Sequence, residues 1–255
     1  LSRKGHTTFN IAVGNNLMQE TWASDLMRLN KSFIIQRSGG SKKEIYSGLS
    51  LASEFIKETI FNKGESIWIA QKQGRAKDGI DQTDPALLKM IHLAERKSQS
   101  IAEYFTSLKV VPVSISYELD PNDRLKAFEL AAVDSNTPYV KEKNEDLKSI
   151  ANGVQGFKGH VHITISDPLV PSPDLTYEDL ATLITNKIVS TYYLHSTNYA
   201  AYEILNPGSS IAKGHFDLSH TQELAKRLEG LEEAVGSKLL EQYANPVIQQ
   251  ISLNR

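Results

Sequence analysis

The sequence predicts an α/β protein with a mostly parallel or mixed central sheet and helices on both faces of that sheet. Between residues 33 and 117, short β-branched apolar runs alternate with segments whose apolar residues recur every three or four positions. Such alternation is typical of crossover connections, which set parallel strands side by side beneath helices. The chain has 255 residues, 40% of them hydrophobic. We therefore expect one domain over residues 1–255, with residues 206–255 as a C-terminal helical extension.

Five β-prone runs mark the predicted strands. They are Phe9–Val13, Ser32–Gln36, Ile67–Ala70, Val110–Tyr117 and His160–Ile165. The first four are mainly apolar, as strands buried in a parallel sheet usually are. The last run alternates polar and apolar residues, which indicates a half-buried or edge strand.

Helical spacing of apolar residues fills the intervals between these strands. The predicted helices are Trp22–Leu29, Glu44–Asn62, Asp84 to about Arg96, one or two helices over Tyr177–Leu205, and a charged amphipathic helix over His220–Gln250. Asp84 is a capping residue and Pro85 follows it at the first helical position. Asn245-Pro246 is predicted to form a turn. Residues 120–150 are charged, and we expect them to cross the surface as helices at most.

Composition excludes several classes of partner. Lys+Arg 28 against Asp+Glu 30 gives a net charge of -2, which excludes the strongly basic surface expected of a nucleic-acid binder. Cys 0 favours a reducing compartment, so a cytoplasmic location is expected. No apolar run approaches the roughly 18 residues of a spanning helix. Any membrane contact is therefore expected to be peripheral, at the inner face.

The loop Gln71–Gly79, QKQGRAKDG, is the candidate anion-binding segment. It follows an apolar strand and carries Lys72, Arg75 and Lys77 beside Gly74. Ligands of open α/β sheets bind beyond the carboxyl ends of strands, where glycines let the backbone approach an anion that cations neutralise. A phosphate is the expected occupant, and a solvated connecting loop is the alternative. The sequence contains neither GxxxxGK nor GxGxxG, the usual nucleotide motifs.

Three segments in order resemble three of the four motif blocks of the glycerol-3-phosphate and 1-acylglycerol-3-phosphate acyltransferase family. They are SFIIQRS (Ser32–Ser38), IWIAQKQGRAKDG (Ile67–Gly79) and VVPVSISYE (Val110–Glu118). The resemblance continues through GFKGHVHITISDPL (Gly156–Leu169), YYLHSTNYAAYEIL (Tyr192–Leu205) and EQYANPV (Glu241–Val247). It covers most of the chain and implies a glycerophosphate acyltransferase-like fold.

The resemblance also implies site residues. Arg37 matches the arginine of the second block, and Gly74 and Arg75 match the glycine and arginine of the third, which bind the acceptor phosphate. The full set expected near phosphate is Arg37, Lys72, Gln73, Gly74, Arg75 and Lys77. Gln73 stands where the family usually has glutamate; it keeps the size and hydrogen bonding of that residue but not the negative charge. Val111, Pro112 and Val113 match the block that shapes the acyl-donor side, although Pro112 is also compatible with a plain strand start or bulge.

No catalytic residue is assigned within the chain. The family's first block is a histidine and an aspartate separated by four residues, in which the histidine takes the proton of the acceptor hydroxyl. That block is expected shortly before Leu1. His162 and Asp167 match the spacing formally, but they follow the other blocks and begin inside a predicted strand, so the match is interpreted as accidental.

The remaining histidines and tyrosines are interpreted as structural. His160 and His162 share one face of a strand at a spacing that suits a metal, but no third ligand accompanies them, so surface or hydrogen-bonded roles are expected. Neither a metal nor an organic cofactor is expected. His6, His215 and His220 lack a serine in a nucleophile elbow and so suggest no triad. The cluster Tyr192, Tyr193, Tyr199 and Tyr202 is expected to pack helices rather than form a ligand cage.

The resemblance implies transfer of a fatty acyl group from acyl-CoA or acyl carrier protein to a hydroxyl of glycerol 3-phosphate or 1-acylglycerol 3-phosphate (lysophosphatidic acid) in phospholipid synthesis. Because the product is a lipid, peripheral membrane contact is expected, through residues 120–150 or the tyrosine-rich helix. A non-catalytic lipid- or phosphate-binding module with the same fold is the main alternative. An enzyme acting on another phosphorylated small molecule is a third.

Overall fold

The computed structural model describes residues 7–14, 25, 29–35, 40–72, 76–135, 139 and 145–254. The strands are β1 (Asn10–Gly14), β2 (Ser32–Ile35), β3 (Ile67–Trp68), β4 (Val113–Tyr117) and β5 (Val161–Ile165). The helices are α1 (Lys42–Lys57), α2 (Pro85–His92), α3 (Ile101–Ser107), α4 (Asp123–Asp134), α5 (Glu145–Gln155), α6 (Tyr177–Thr191), α7 (Ser196–Leu205), α8 (Leu218–Leu228) and α9 (Glu233–Leu253). A π-helical turn, Glu58–Asn62, continues α1. The predicted mixed α/β class is confirmed.

The chain divides into two compact units. The first comprises Leu1–Gly74, Gln82–Val110 and Pro168–Ile184, and the second comprises Arg75–Asp81, Val111–Asp167 and Thr185–Arg255. The helix predicted over Trp22–Leu29 lies outside the described residues except for Asp25 and Leu29.

A three-stranded parallel sheet forms the centre of the first unit. β1 lies between β2 and β3 and pairs with both in parallel, with Gly14 opposite Ile35 and Ile11 opposite Trp68. Ile35 is buried, as the apolar run predicts. β3 is only two residues long, shorter than the predicted Ile67–Ala70. The parallel part of the predicted sheet is therefore present, but small.

Capping residues set the helix starts of the first unit. The predicted cap at Asp84 is confirmed, because its Oδ1 accepts a hydrogen bond from the amide of Ala86 at 2.8 Å. The α2 helix then ends at His92, before the predicted Arg96. The pattern analysis missed α3, although Ser100 and Glu103 form a capping box there, a signal that is readable in the sequence.

The second unit contains an antiparallel pair rather than a continuation of the parallel sheet. β4 pairs with β5, with Val113 opposite Ile165 and Tyr117 opposite Val161. The prediction of one central sheet reaching residue 117 is therefore wrong for the described strands. An apolar run shows that a strand is favoured but does not specify its partner, and here the chain returns through α4 and α5 to run back along β4. The edge-strand prediction for β5 is confirmed, and Ile163 and Ile165 are exposed.

Helices form the core of the second unit, with α9 at its centre. α9 packs against α4, α7 and α8. The buried cluster consists of Ala127, Ala200, Ala201, Leu224, Val235, Leu239, Leu240, Tyr243 and Ala244. The alanines on α4 and α7 allow α9 to approach closely. Residues 206–255, expected as an extension, thus supply much of this core.

The turn predicted at Asn245-Pro246 is wrong, because α9 continues through Pro246. A proline inside a helix removes one backbone hydrogen bond and usually bends or ends the helix. Here Tyr243 and Val247, on either side of the proline, are both buried. Burial of apolar side chains before and after Pro246 outweighs its local preference.

Candidate functional site

The predicted anion loop begins where β3 leaves the parallel sheet. In the first unit, the carbonyl of Gln71 accepts a hydrogen bond from the amide of Asp84 at 2.9 Å. The hydroxyl of Thr83 donates to the Gln71 side chain at 3.0 Å. These two hydrogen bonds hold Gln71, which follows β3, beside Thr83 and Asp84, which precede α2.

The carboxyl ends of β2 and β3 lie at one edge of the sheet, since both strands run parallel to β1. Arg37 follows the last residue of β2 by two positions in the sequence, and Lys72 follows the last residue of β3 by four. β2 and β3 lie on either side of β1, and cations after parallel strands of one sheet are the arrangement expected of an anion site. Of the predicted phosphate-binding residues, four lie outside the described residues: Arg37, Gln73, Gly74 and Arg75.

The second half of the loop, residues 76–81, is fixed within the second unit. The ammonium of Lys77 forms an ion pair with Glu129 of α4. On the same helix, Lys126 donates to the carbonyl of Ala76 at 3.0 Å and forms an ion pair with Asp120. Lys77 would therefore have to leave Glu129 before it could bind a phosphate.

Side chains of α9 contact the same segment. Asn245 donates through Nδ2 to the carbonyl of Asp78 at 2.7 Å. Gln249 accepts from the amide of Asp81 and donates to its carbonyl, each at 3.2 Å. Gly79 has a φ of 72° and lies against the Gln242 carbonyl, which a Cβ on Gly79 would approach to 2.1 Å. This contact requires a glycine.

Val111, Pro112 and Val113, expected at the acyl-donor side, lie at the start of β4 in the second unit. Val111 is exposed and Pro112 is buried. The Pro112 carbonyl accepts from the amide of Ser166 at 3.0 Å, and Val113 pairs with Ile165. Pro112 thus directly precedes the strand, the position that the strand-start alternative expects.

The sequence analysis missed a carboxylate–imidazole pair in the second unit. Oε2 of Glu118 accepts from the backbone amide of His160 and lies 2.7 Å from Nδ1 of its ring. Gly159, at φ 61°, leaves room for the carboxylate, because a Cβ there would lie 2.4 Å from Oε2. Burial raises the pKa of Glu118, but the hydrogen bonds from His160 outweigh burial and hold that pKa below its ordinary value.

Glu118 therefore orients the His160 ring. The other side of the pair is open, because 90% of the His160 side chain is exposed. The expected role of His160 as a hydrogen-bonded surface histidine is confirmed. The sequence did not reveal this pair, because Glu118 and His160 are 42 residues apart and come together only through the pairing of β4 with β5.

His162 and His195 both contact the ring of Tyr193. The ring of His162 stacks on Tyr193 at 4.5 Å, and Tyr193 contacts His195 edge-on at 4.9 Å. His195 is only 5% exposed, and burial lowers the pKa of its ring. The stacking accounts for His162 without any contribution from Asp167.

The other candidate residues make packing contacts. His215 stacks on Tyr199 at 4.3 Å, and Nδ1 of His220 lies 2.9 Å from Asp217. Tyr202 packs against the helical core, as expected for that tyrosine cluster. His6 lies outside the described residues. The described part of the chain contains no group of three or more acidic, histidine or cysteine side chains placed to hold a metal ion.

Comparisons with known proteins add no relative. Neither the family models nor the curated proteins gave a match to this chain. Within the described ranges, no helix has both the length and the apolar character needed to cross a membrane.

Proposed function

We propose that this chain is an acyltransferase that moves a fatty acyl group from acyl-CoA or acyl carrier protein to a hydroxyl of glycerol 3-phosphate or 1-acylglycerol 3-phosphate. The observation that carries the proposal is the order of the motif blocks, two of which begin with β2 and β3. The carboxyl ends of these parallel strands lie at one edge of a sheet, where open α/β proteins bind ligands.

In this proposal Arg37, Gly74 and Arg75 recognise the acceptor phosphate, and Lys72 adds positive charge. Arginine suits this role because its planar guanidinium donates two parallel hydrogen bonds to phosphate oxygens. The acceptor hydroxyl oxygen forms an ester bond with the acyl carbon as the C–S bond of the thioester breaks, and the hydroxyl proton passes through a general base to the departing thiolate. Binding the acceptor by its phosphate holds its hydroxyl near the thioester, so that the bimolecular reaction becomes effectively unimolecular.

A peripheral contact with the inner face of a membrane belongs to the same proposal, because the acceptor or the product is a lipid. Phe128 and Val133 of α4 are exposed, within the segment expected to make that contact. Exposed aromatic and aliphatic side chains on a charged helix favour the boundary between headgroups and acyl chains.

Substitution of the loop arginine tests phosphate recognition. We expect Arg75→Ala to weaken binding of glycerol 3-phosphate by about tenfold to a hundredfold, since a charge-assisted pair is lost. Arg75→Lys keeps the charge but loses the two-point geometry, so an intermediate effect is expected. Lys213→Ala removes an exposed cation elsewhere and serves as the control. Calorimetric titration measures all four proteins, and equal affinity for wild type and Arg75→Ala would contradict the assignment.

The non-catalytic alternative is favoured by Gln73, which replaces the usual glutamate. Both functions predict binding of glycerol 3-phosphate, but only the enzyme releases free thiol from acyl-CoA when glycerol 3-phosphate is added. Turnover should be measured on the full-length protein purified from its natural source. Comparing its intact mass with 28.4 kDa, together with peptide mapping, shows whether a histidine and an aspartate four residues apart precede Leu1.

A further inference from the structure

The segment Ala76–Asp81 is held by the side chains and backbone of α9. The Gln249 amide bonds both backbone groups of Asp81, at 3.2 Å each, as a neighbouring strand would. One turn earlier on the helix, Asn245 donates to the carbonyl of Asp78 at 2.7 Å. Asp78 in turn accepts from the amide of Ile80 at 3.0 Å, which fixes the turn between the two contacts. The backbone is thus held at two points three residues apart.

Pro246 forms part of the surface of α9 against which Gly79 packs. Because proline has no amide hydrogen, it leaves the carbonyl of Gln242 without its usual helical donor. Gly79 packs against this carbonyl and against the proline ring, whose Cδ would lie 3.2 Å from a Cβ on Gly79. The proline that the sequence analysis interpreted as a turn thus forms, within the helix, the surface on which the loop glycine rests.

α4 holds the beginning of the same segment. Lys126 donates to the carbonyl of Ala76 at 3.0 Å, and Glu129 pairs with Lys77. The described segment is therefore held at its start by α4, at Ala76 and Lys77, and further along by α9, at Asp78 and Asp81. On α9, the side chains of Tyr243 and Val247, before and after Pro246, are buried.

We propose that Asn245 and Gln249 are positioning residues for the anion loop: by binding Asp78 and Asp81 they fix the backbone of residues 76–81, the part of the loop that carries Lys77 and follows Arg75 in the sequence. This inference rests on the proposed function, because it assigns the loop's ligand as the acceptor phosphate. Recognition of the acceptor then depends on a helix near the C-terminus that itself supplies no group to the phosphate. A preorganised loop binds its anion more tightly because less ordering is needed on binding.

Neighbouring glutamines on α9 provide a matched pair for the test. Gln249 binds Asp81 in the loop, whereas Gln250 donates to the carbonyls of Val189 and Tyr192, at 2.9 and 2.6 Å, away from it. We expect Gln249→Ala to weaken glycerol 3-phosphate binding about tenfold, and Gln250→Ala to change it less than about twofold. Asn245→Asp keeps the size but cannot donate to Asp78, so it is expected to behave like Gln249→Ala. Equal affinities for the two glutamine variants would overturn the proposal.

Hydrogen exchange separates failure of this inference from failure of the proposed function. In the absence of ligand, peptides covering residues 76–81 are expected to exchange faster in Gln249→Ala than in wild type or Gln250→Ala. If wild type does not bind glycerol 3-phosphate but the loop exchanges faster only in Gln249→Ala, the proposed function fails and loop positioning stands. If exchange over residues 76–81 is the same in all three proteins, the positioning role is wrong whatever the ligand.

Discussion

His92 in the first unit and His195 in the second are both buried, at 2% and 5% exposure, but their ring nitrogens are satisfied differently. Nε2 of His92 lies 3.1 Å from the carbonyl of Gln99 and Nδ1 lies 2.9 Å from the Tyr177 hydroxyl. A carbonyl only accepts, so Nε2 carries the proton and Nδ1 accepts from the hydroxyl. Nε2 of His195 has no hydrogen-bond partner among the described residues.

The comparison shows that a buried polar side chain is not necessarily one whose hydrogen bonds stabilise the fold. His92 is fully paired and stacks on Tyr104 at 5.1 Å, so its ring joins α2 to its neighbours. His195 has a backbone hydrogen bond with Ser116, but its second nitrogen is desolvated without compensation. The same unit holds a buried carboxylate, Asp123, with several donors. Stability should therefore follow the number of partners lost rather than the depth of burial.

Removing the buried carboxylate should have the largest effect. Asp123 accepts from Arg227 at 2.5 Å and from the Tyr243 hydroxyl at 2.7 Å. Asp123→Ala removes the 2.5 Å ion pair of the partly buried Arg227, whose other carboxylate partner, Glu223, lies at 3.3 Å, so we expect a loss of about 3–5 kcal/mol in the free energy of unfolding. Urea denaturation measures it. Lys89→Ala, which breaks an exposed pair with Glu178, is the control and should change little. A similar loss in both variants would contradict the role assigned to Asp123.

The two histidines can be compared directly by replacing each ring with phenylalanine. His92→Phe leaves the carbonyl of Gln99 and the hydroxyl of Tyr177 without their hydrogen bonds to the ring, so a loss of about 1–3 kcal/mol in the free energy of unfolding is expected. His195→Phe removes one hydrogen bond together with an unsatisfied nitrogen, and should cost under about 1 kcal/mol. Denaturation of both variants at pH 7.5 tests the order. If His195→Phe were the more destabilised variant, partner count would not explain the difference.

The smallest expected effect is a pH dependence shared by both histidines. Burial lowers the pKa of each ring below its ordinary 6.5. Below pH 6.5 these two histidines therefore bind more protons in the unfolded chain than in the folded chain, so their contribution to stability falls as the pH drops. Above pH 6.5 that contribution is constant. Near His92, Glu95 opposes this shift and Arg96 adds to it. Unfolding free energies between pH 5.5 and 7.5 should show a shallower fall in His92→Phe than in wild type. An unchanged slope would show that His92 does not titrate in this range.

Local signals in the sequence predicted most elements but not the pairing of the strands. The cap at Asp84, the helical spacing after Glu44 and the edge character of β5 all concern neighbours along the chain. The partner of β4 and the path of α9 through Pro246 depend on residues far away in sequence, which no local pattern identifies. For the same reason, the sequence predicted the anion loop but not Asn245 and Gln249, the distant residues that hold it.

The sequence by itself determined the mixed α/β class, the loop of glycines and cations after β3, and the resemblance on which the proposed function rests. These depend on residue types at short spacings, which local propensity and charge make readable. Only the tertiary structure decided that Lys77 pairs with Glu129, that Glu118 orients His160, and that Asn245 and Gln249 hold the loop. Each of these contacts joins residues at least 42 positions apart, and chain packing, which is cooperative over the whole core, determines which distant residues meet.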